Sequence, residues 1–398
     1  MKEKFLRELA DIQTGPFGSQ LHKEDYVADG TPIVTVEHLG NKMFSEQNLP
    51  RVSNTDKNRL KKYVLKQGDI VFSRVGSVDR CSYVDQKHDG WMFSGRCLRV
   101  RPISEIDSEY LYYYFCLEET KQFVRNISVG ATMPSINTKL LGEVVVTFPE
   151  LEQQKRISGI LSAIDSKIEV NQKINDNLEQ QAVALFKSWF VDFSLFGGTV
   201  PENWEDTTLE NITTLITRGI APKYSDNSDQ TVVNQKCIRN HTIDLSLART
   251  HTPKAINEKW LKFGDLLINS TGDGTLGRVA QVWFAPKALT VDSHVTIVRP
   301  AREELIFYIG LWGILHEKEI ESLHTGITGQ TELPRDRVKM LKLLLPDDSS
   351  LSRFNSIIAP MTSTIISNQE ENQKLANLRD TLLPKLMSGV IDVANVQL

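Results

Sequence analysis

From Ile157 onward, seam positions follow at alternating steps of four and three: Ile157, Leu161, Ile164, Ile168, Asn171, Asn175, Leu178, Ala182, Leu185 and Trp189. This is the a/d seam of a heptad repeat, and it predicts a helix from about Leu151 to Phe190 with a packing partner along it. At 1.5 Å rise per residue such a rod is roughly 60 Å long. A second stretch keeps the same steps through Phe354, Ile358, Met361, Ile365, Asn368, Asn372, Leu375, Arg379 and Leu382. Two asparagines stand at matching places in each seam. Polar seam residues weaken a coiled coil but fix its register and partner; the other reading has them facing water where the helix leaves its partner. Pro360 predicts a kink, or the true start of the second helix. Pro384 predicts an end or a bend, with Ser388-Gly389 as the stop beyond it.

The chain is written twice, at a period just under 200 residues. Leu9-Ala10-Asp11-Ile12 returns as Leu209-Glu210-Asn211-Ile212, and Leu65-Lys66-Gln67-Gly68-Asp69-Ile70 as Leu261-Lys262-Phe263-Gly264-Asp265-Leu266. Val100-Arg101-Pro102 returns as Val298-Arg299-Pro300, and Gly130-Ala131-Thr132 as Gly326-Ile327-Thr328. A proline closes each of the runs Val144–Pro149 and Leu343–Pro346. Between these marks lie short β-like runs, such as Thr31–Val36, Asp69–Phe72 and Leu98–Arg101, and one helical stretch per half, near Glu109–Phe123 and Glu304–Ile320. The expected organisation is a globular α+β half at 1–149, a long helix at 150–196, a second globular half at 197–346 and a second long helix at 347–398. Each globular half mixes helix with a curved, partly antiparallel sheet, and the two helices are expected to pack antiparallel as a coiled coil.

Charge modifies this picture only locally. The whole chain carries a formal −4, which argues mildly against a protein that coats DNA through its own basic charge. Residues 1–149 hold 20 basic and 19 acidic side chains, and residues 197–346 hold 17 and 18. The acidity sits in the helical segments 150–196 (5 against 7) and 347–398 (4 against 6). The four cysteines, Cys81, Cys97, Cys116 and Cys237, form no C-x-x-C pair and read as reduced thiols of a cytoplasmic protein. No apolar run is long enough to span a bilayer, and the first residues lack a signal-peptide core.

Catalytic signatures are not found in the sequence. No glycine-rich cofactor loop is followed by an Asn-Pro-Pro-Tyr-like motif, and the dipeptide Gly-Lys of a P-loop does not occur. The eight histidines form no ligand pair, and G-x-S-x-G is missing. Glycine clusters occur at Gly15–Ser19, Val75–Ser77 and Thr271–Arg278; each suits either a phosphate cradle or a tight turn. A duplicated, rod-bearing chain of this kind is expected to bind or assemble, with no catalysis or metal site of its own.

The segment Phe148–Ile157, with Asp165–Asn175 and Leu185–Phe193, resembles the central motif of the specificity subunits of type I restriction–modification enzymes. Leu382–Gly389 looks like the family's C-terminal end, and Asp11–Leu21 and Val200–Glu205 fit the openings of its halves. The resemblance implies two target recognition domains, each reading one part of a split, asymmetric DNA site, with the helices setting the unread spacer. It implies that two modification subunits dock on the helices, and that restriction subunits supply translocation and cleavage. S-adenosylmethionine, ATP and Mg would then sit on those partners, with no cofactor on this chain.

Direct readout needs Arg, Lys, Asn, Gln, Ser or Thr presented from loops into a groove. The candidates in the first half are Ser19, Gln20, His22 and Lys23, then Arg74, Ser77 and Arg80, then Thr132, Ser135, Asn137 and Lys139. In the second half they are Arg218 and Lys223, then Thr271, Thr275 and Arg278, then Thr328, Gln330, Thr331 and Arg335. Two rival assignments stand beside this one. The chain could be the specificity subunit of a cutting-and-methylating enzyme outside type I, or a coiled-coil scaffold that binds protein and not DNA.

Overall fold

The motifs that recur along the chain meet in space. In the computed structural model, Asp69 of the first Leu-Lys-Gln-Gly-Asp motif is 1% exposed and accepts Nε and Nη2 of Arg101, from the Val-Arg-Pro motif, each at 2.7 Å. Its second-half counterpart Asp265 is fully buried and takes Arg299 at 2.8 and 2.7 Å. A buried carboxylate is tolerable only with such charge-assisted, bidentate partners. Each aspartate also accepts the backbone N–H three residues before it, closing a turn whose Gly68 or Gly264 has φ +89° or +85°. Glycine is required there because other residues rarely adopt positive φ. The structure describes residues 1–398 except 19, 41, 273, 327–330 and 394–398.

The chain divides into two compact units: Met1–Val170 with Glu371–Leu398, and Asn171–Glu370. Each unit takes one globular half together with stretches of both long helices. In the first unit, four antiparallel strands lie in the order Ala10–Thr14, Cys97–Pro102, Ile70–Ser73, Cys81–Tyr83. In the second the same order returns as Thr213–Arg218, Val295–Pro300, Leu266–Asn269, Val279–Gln281. The register is duplicated too, with Ile70 opposite Val100 and Leu266 opposite Val298. Each half adds a further sheet of short strands with one parallel pair, Thr31–Val34 with Met92–Phe93 and Thr231–Val233 with Leu289–Val291. The expected single sheet per half is therefore divided: beside these two sheets a two-stranded pair closes each half, Lys2–Phe5 with Val145–Phe148 and Glu205–Thr208 with Lys342–Leu345. The expected single helices are also divided. The first breaks at Leu117, whose ψ of 134° separates Ser108–Cys116 from Glu118–Ile127. In the second half the break falls at His316, between Ile306–Leu315 and Glu317–Ser322.

The two long helices run from Leu151 to Phe190 and from Asp348 to Met387, 40 residues each. Their equal length corrects two expectations. Pro360 neither starts nor interrupts the second helix, and Pro384 does not end it. Both proline rings lie on exposed positions of the helix, where the carbonyl left without its N–H partner can turn to water. The stop falls at Gly389, with φ +76°. The polar run at Asp347–Ser352 is a cap: the Asp347 carboxylate accepts the Ser350 N–H at 3.0 Å, the Ser350 hydroxyl at 2.8 Å and the Trp204 indole N–H at 2.8 Å. Among the described residues, no helix is long and apolar enough to cross a membrane.

Helix contacts are antiparallel inside each unit. In the first, Ile157 and Leu161 share a core with Leu383, Leu386 and Met387, and Asp165 accepts Arg379 at 2.8 Å. In the second, Ala182 and Phe186 pack with Phe354 and Ile358, and Trp189 and Phe190 meet Phe354, Trp204 and Tyr308 in edge-on or tilted ring contacts. The middle of the seam is looser: Ile164, Ile168, Leu178, Met361, Ile365 and Leu375 are half-buried, while Asn171 is buried.

Candidate nucleic-acid interface

In the first half, one rim gathers three loops at the end of the main sheet. Arg74 follows the strand Ile70–Ser73 and donates its backbone N–H to Arg96 O at 2.8 Å. Its own carbonyl accepts the Ile136 N–H at 2.9 Å. Within the third loop, Val129 and Ser135 exchange both backbone bonds, at 2.9 and 2.8 Å. The glycine turn joins the same rim, with the Gly15 N–H donated to Cys97 O at 3.2 Å. A Cβ on Gly15 would lie 2.1 Å from Ser94 O, so close backbone approach explains this glycine, and no phosphate is needed to explain it.

The second half builds the same frame from other residues. The Ser270 N–H is donated to His294 O at 2.8 Å, and Ser270 O accepts the Leu333 N–H at 2.8 Å. Thr325 and Glu332 exchange both backbone bonds, and the Gly219 N–H is donated to Val295 O at 3.1 Å. A Cβ on Gly219 would meet Val291 O at 1.9 Å. Arg74, Arg96 and Ser135 thus occupy the places of Ser270, His294 and Glu332.

Several sequence candidates face this rim. The Arg74 guanidinium is oriented by Gly95 O at 3.0 Å and lies 5.0 Å from the centre of the Phe17 ring. Ser77 and Thr132 are exposed on the rim loops, and the Ser135 hydroxyl is donated to Val129 O at 3.1 Å. In the second half, the Thr271 hydroxyl lies 2.6 Å from His294 Nδ1 and 3.2 Å from Gln235 Oε1. The His294 N–H is donated to Asp292 at 2.9 Å. Burial raises the Asp292 carboxyl above its ordinary range, against the opposing pull of that N–H and of the imidazole charge. Thr331 is half-buried between the paired rim residues.

Other candidates have structural work in this conformation. Gln20 accepts the Tyr63 hydroxyl at 2.7 Å, and Asn137 caps the turn Thr138–Leu141 through the Leu140 N–H at 2.9 Å. Arg80 bonds Leu39 O, Arg278 bonds Gly274 O at 2.8 Å, and the Thr275 hydroxyl bonds Thr271 O. Arg218 is held by Leu333 O at 2.7 Å and Glu332 at 2.6 Å. His22, Lys23, Lys139, Lys223 and Arg335 are exposed, outside the hydrogen-bonded frame. Ser19, Thr328 and Gln330 lie outside the described residues.

Sequence reasoning missed Arg96, His294 and Phe17. The first two were findable, because each stands four residues before the repeated Val-Arg-Pro. Phe17 is 51% exposed, and its neighbours on the rim, Val129 and Met133, are 63% and 67% exposed.

The first 180 residues match the family model described as the type I restriction modification DNA specificity domain. The chain is 28% identical over 320 residues to the MjaIX specificity subunit of Methanocaldococcus jannaschii, covering 74% of this chain and 71% of that one. It is 23% identical over 411 residues to the HindI specificity subunit of Haemophilus influenzae, covering 83% and 88%. A crystal structure of a type I restriction–modification S subunit from M. genitalium shares the fold, with a TM-score of 0.55, 17% identity and coverage of 97% and 95%. In its duplicated halves, its paired 40-residue helices and these likenesses, the chain is similar to the specificity subunits of type I restriction–modification enzymes.

Proposed function

We propose that this chain is the address reader of a type I restriction–modification complex, and that each globular half reads one part of a bipartite DNA site. The observation that carries this is the duplicated rim: the same backbone bonds frame Arg74, Arg96 and Ser135 in one half and Ser270, His294 and Glu332 in the other, where Ser270 is buried and His294, Glu332 and the adjoining Thr271 are the side chains offered. A shared frame with different side chains suits two unlike half-sites, because base edges are told apart by donor and acceptor patterns. An Arg-bearing rim favours the paired acceptors of guanine; a His/Glu/Thr rim favours mixed donors and acceptors.

The long helices are the mount for the readers, and their length sets the unread gap. Two modification subunits dock on them, and restriction subunits complete the assembly. The chain performs no catalysis itself. S-adenosylmethionine, ATP and Mg belong to those partners, which also supply the positive surface that a chain of net charge −4 lacks. The test is adenine methylation mapped genome-wide, with the chain co-expressed with its modification subunit. A split motif with a fixed gap, lost when the chain is omitted, supports the proposal. A single continuous motif, or methylation unchanged without the chain, overturns it.

A further inference from the structure

His241 sits at the tip of a two-residue hairpin between Ile238–Arg239 and Thr242–Ile243. Asn240 and His241 have φ of +47° and +57°. Such a turn wants glycine at its second place, and a histidine there carries backbone strain. The side chain explains its presence. Nδ1 lies 2.5 Å from Glu179 on the central helix, and Nε2 lies 3.5 Å from Glu317 of its own globular half. Glu317 is itself fixed, accepting the Val279 N–H at 2.7 Å. Burial opposes a charge on the imidazole, but the hydrogen bonds and charges of Glu179 and Glu317 outweigh it and raise the group to about 10, so it is a cation at neutral pH.

Lys42 occupies the corresponding place in the first half. The 3₁₀ turns Val36–His38 and Gln235–Cys237 match, and Ser45 N–H to His38 O at 3.0 Å matches Asp244 N–H to Cys237 O at 2.8 Å. Lys42 and His241 each stand four residues after those turns. The Lys42 ammonium donates to Glu109 at 2.8 Å in its own half and to Ser162 on the central helix at 2.9 Å. Its side chain is only 14% exposed.

We infer that Lys42 and His241 are positioning residues, cationic bolts that each fix a globular half to the central helix and so hold each reader at the angle that defines the gap between half-sites. The inference rests on the proposed function above, and it adds gap fidelity as a property of two named side chains. The two halves use different cations and different helix partners at one equivalent position, which is what a shared mechanical task with no shared chemistry would produce.

The experiment uses the assembled complex with its modification subunit and reads methylated adenines genome-wide. The unsubstituted complex tests the functional reading by itself: without a split motif, that reading fails. Given a split motif, His241→Gly relieves the turn and removes the bolt, and Lys42→Met removes the other. Both should keep the two half-site sequences and spread the gap over neighbouring lengths, with several-fold lower occupancy at the original gap. His241→Arg and Lys42→Arg should restore a single gap. Glu179→Gln breaks the second bolt from the helix side at constant volume, and serves if a loop variant fails to fold. A single gap at full occupancy in Lys42→Met, and in His241→Gly or Glu179→Gln, overturns the inference.

Discussion

Asn368 donates its side-chain amide to the Asn175 carbonyl oxygen at 2.8 Å, joining the two long helices through a pair of seam positions that would ordinarily be apolar. Asn175 in turn donates to Ile365 O at 3.4 Å, and Asn372 donates to Ile168 O at 3.5 Å, so the duplicated asparagines make duplicated bonds. Replacing Asn368 alone by Leu leaves the Asn175 side-chain oxygen without this donor in a half-buried seam, and should cost about 1–2 kcal/mol. Replacing both by Leu should be neutral or stabilising, because the unmet polar group goes with its partner. Thermal unfolding of the two singles and the double gives the coupling directly. Additive losses would mean that the bond contributes nothing.

Asp165 is a junction in the first unit. It accepts the Tyr113 hydroxyl at 2.6 Å and Arg379 at 2.8 Å. Asp165→Ala leaves the buried Tyr113 phenol without its acceptor, and leaves the half-buried Arg379 guanidinium with Asp380 alone, at 2.8 and 2.9 Å. The expected loss is about 2–4 kcal/mol, read as a fall in the melting temperature. Arg379→Met should cost less, since it leaves the Tyr113 bond in place.

Asp347 makes the second helix start pH-dependent. Burial raises its carboxyl, but the Ser350 hydroxyl and N–H, the Trp204 indole and the Ser349 N–H outweigh that and hold it down at about 2, against 3.8 ordinarily. A depressed folded value stabilises above the unfolded value, and that stability is lost as pH falls through the folded one. The contribution is therefore complete above about pH 4 and disappears towards pH 2. Asp347→Ala should cost about 1 kcal/mol at neutral pH, as for other helix caps, and should flatten the melting temperature between pH 4 and 2.

Pro360 lies in the helix interior with an exposed ring. Pro360→Ala restores an N–H donor and should raise stability by about 1–3 kcal/mol. A destabilised variant would show that the ring is needed for packing.

Arg96→Ala should weaken DNA binding by the complex by about 1–3 kcal/mol and relax discrimination at one base position of one half-site, leaving the other half-site unchanged. Methylated sites sequenced from the variant would show a single degenerate position. Weaker binding at every sequence, with a shallower salt dependence, would reassign Arg96 to a phosphate.

Much of this fold was legible in the sequence because two kinds of signal were strong. The heptad steps located the central helix at its observed ends, and the repeat paired Gly68-Asp69 with Gly264-Asp265 before their shared role was visible. Proline misled, since Pro360 and Pro384 break helices only where the lost backbone bond cannot turn to solvent. The break at Leu117 was hidden because apolar periodicity continues across it. The rim was the least legible part. Which side chains converge depends on backbone bonds between loops some 20 to 60 residues apart, as from Arg74 to Arg96 and Ile136, and no local pattern announces those. Arg80 and Arg218 looked like readers by residue type, yet both are engaged by carbonyls of their own half.

The division of the chain into units has a consequence for synthesis. Residues 171–370 form one uninterrupted unit, and can complete their core as soon as they leave the ribosome. The other unit cannot: Leu6 and Leu9 share a core with Leu383, Leu386, Met387 and Val393. The first half to be translated is therefore the last to be finished, waiting with part of its apolar surface uncovered until the final helix emerges. A stop codon that removed only the residues beyond Leu382 would damage the amino-terminal half and leave the middle of the chain intact.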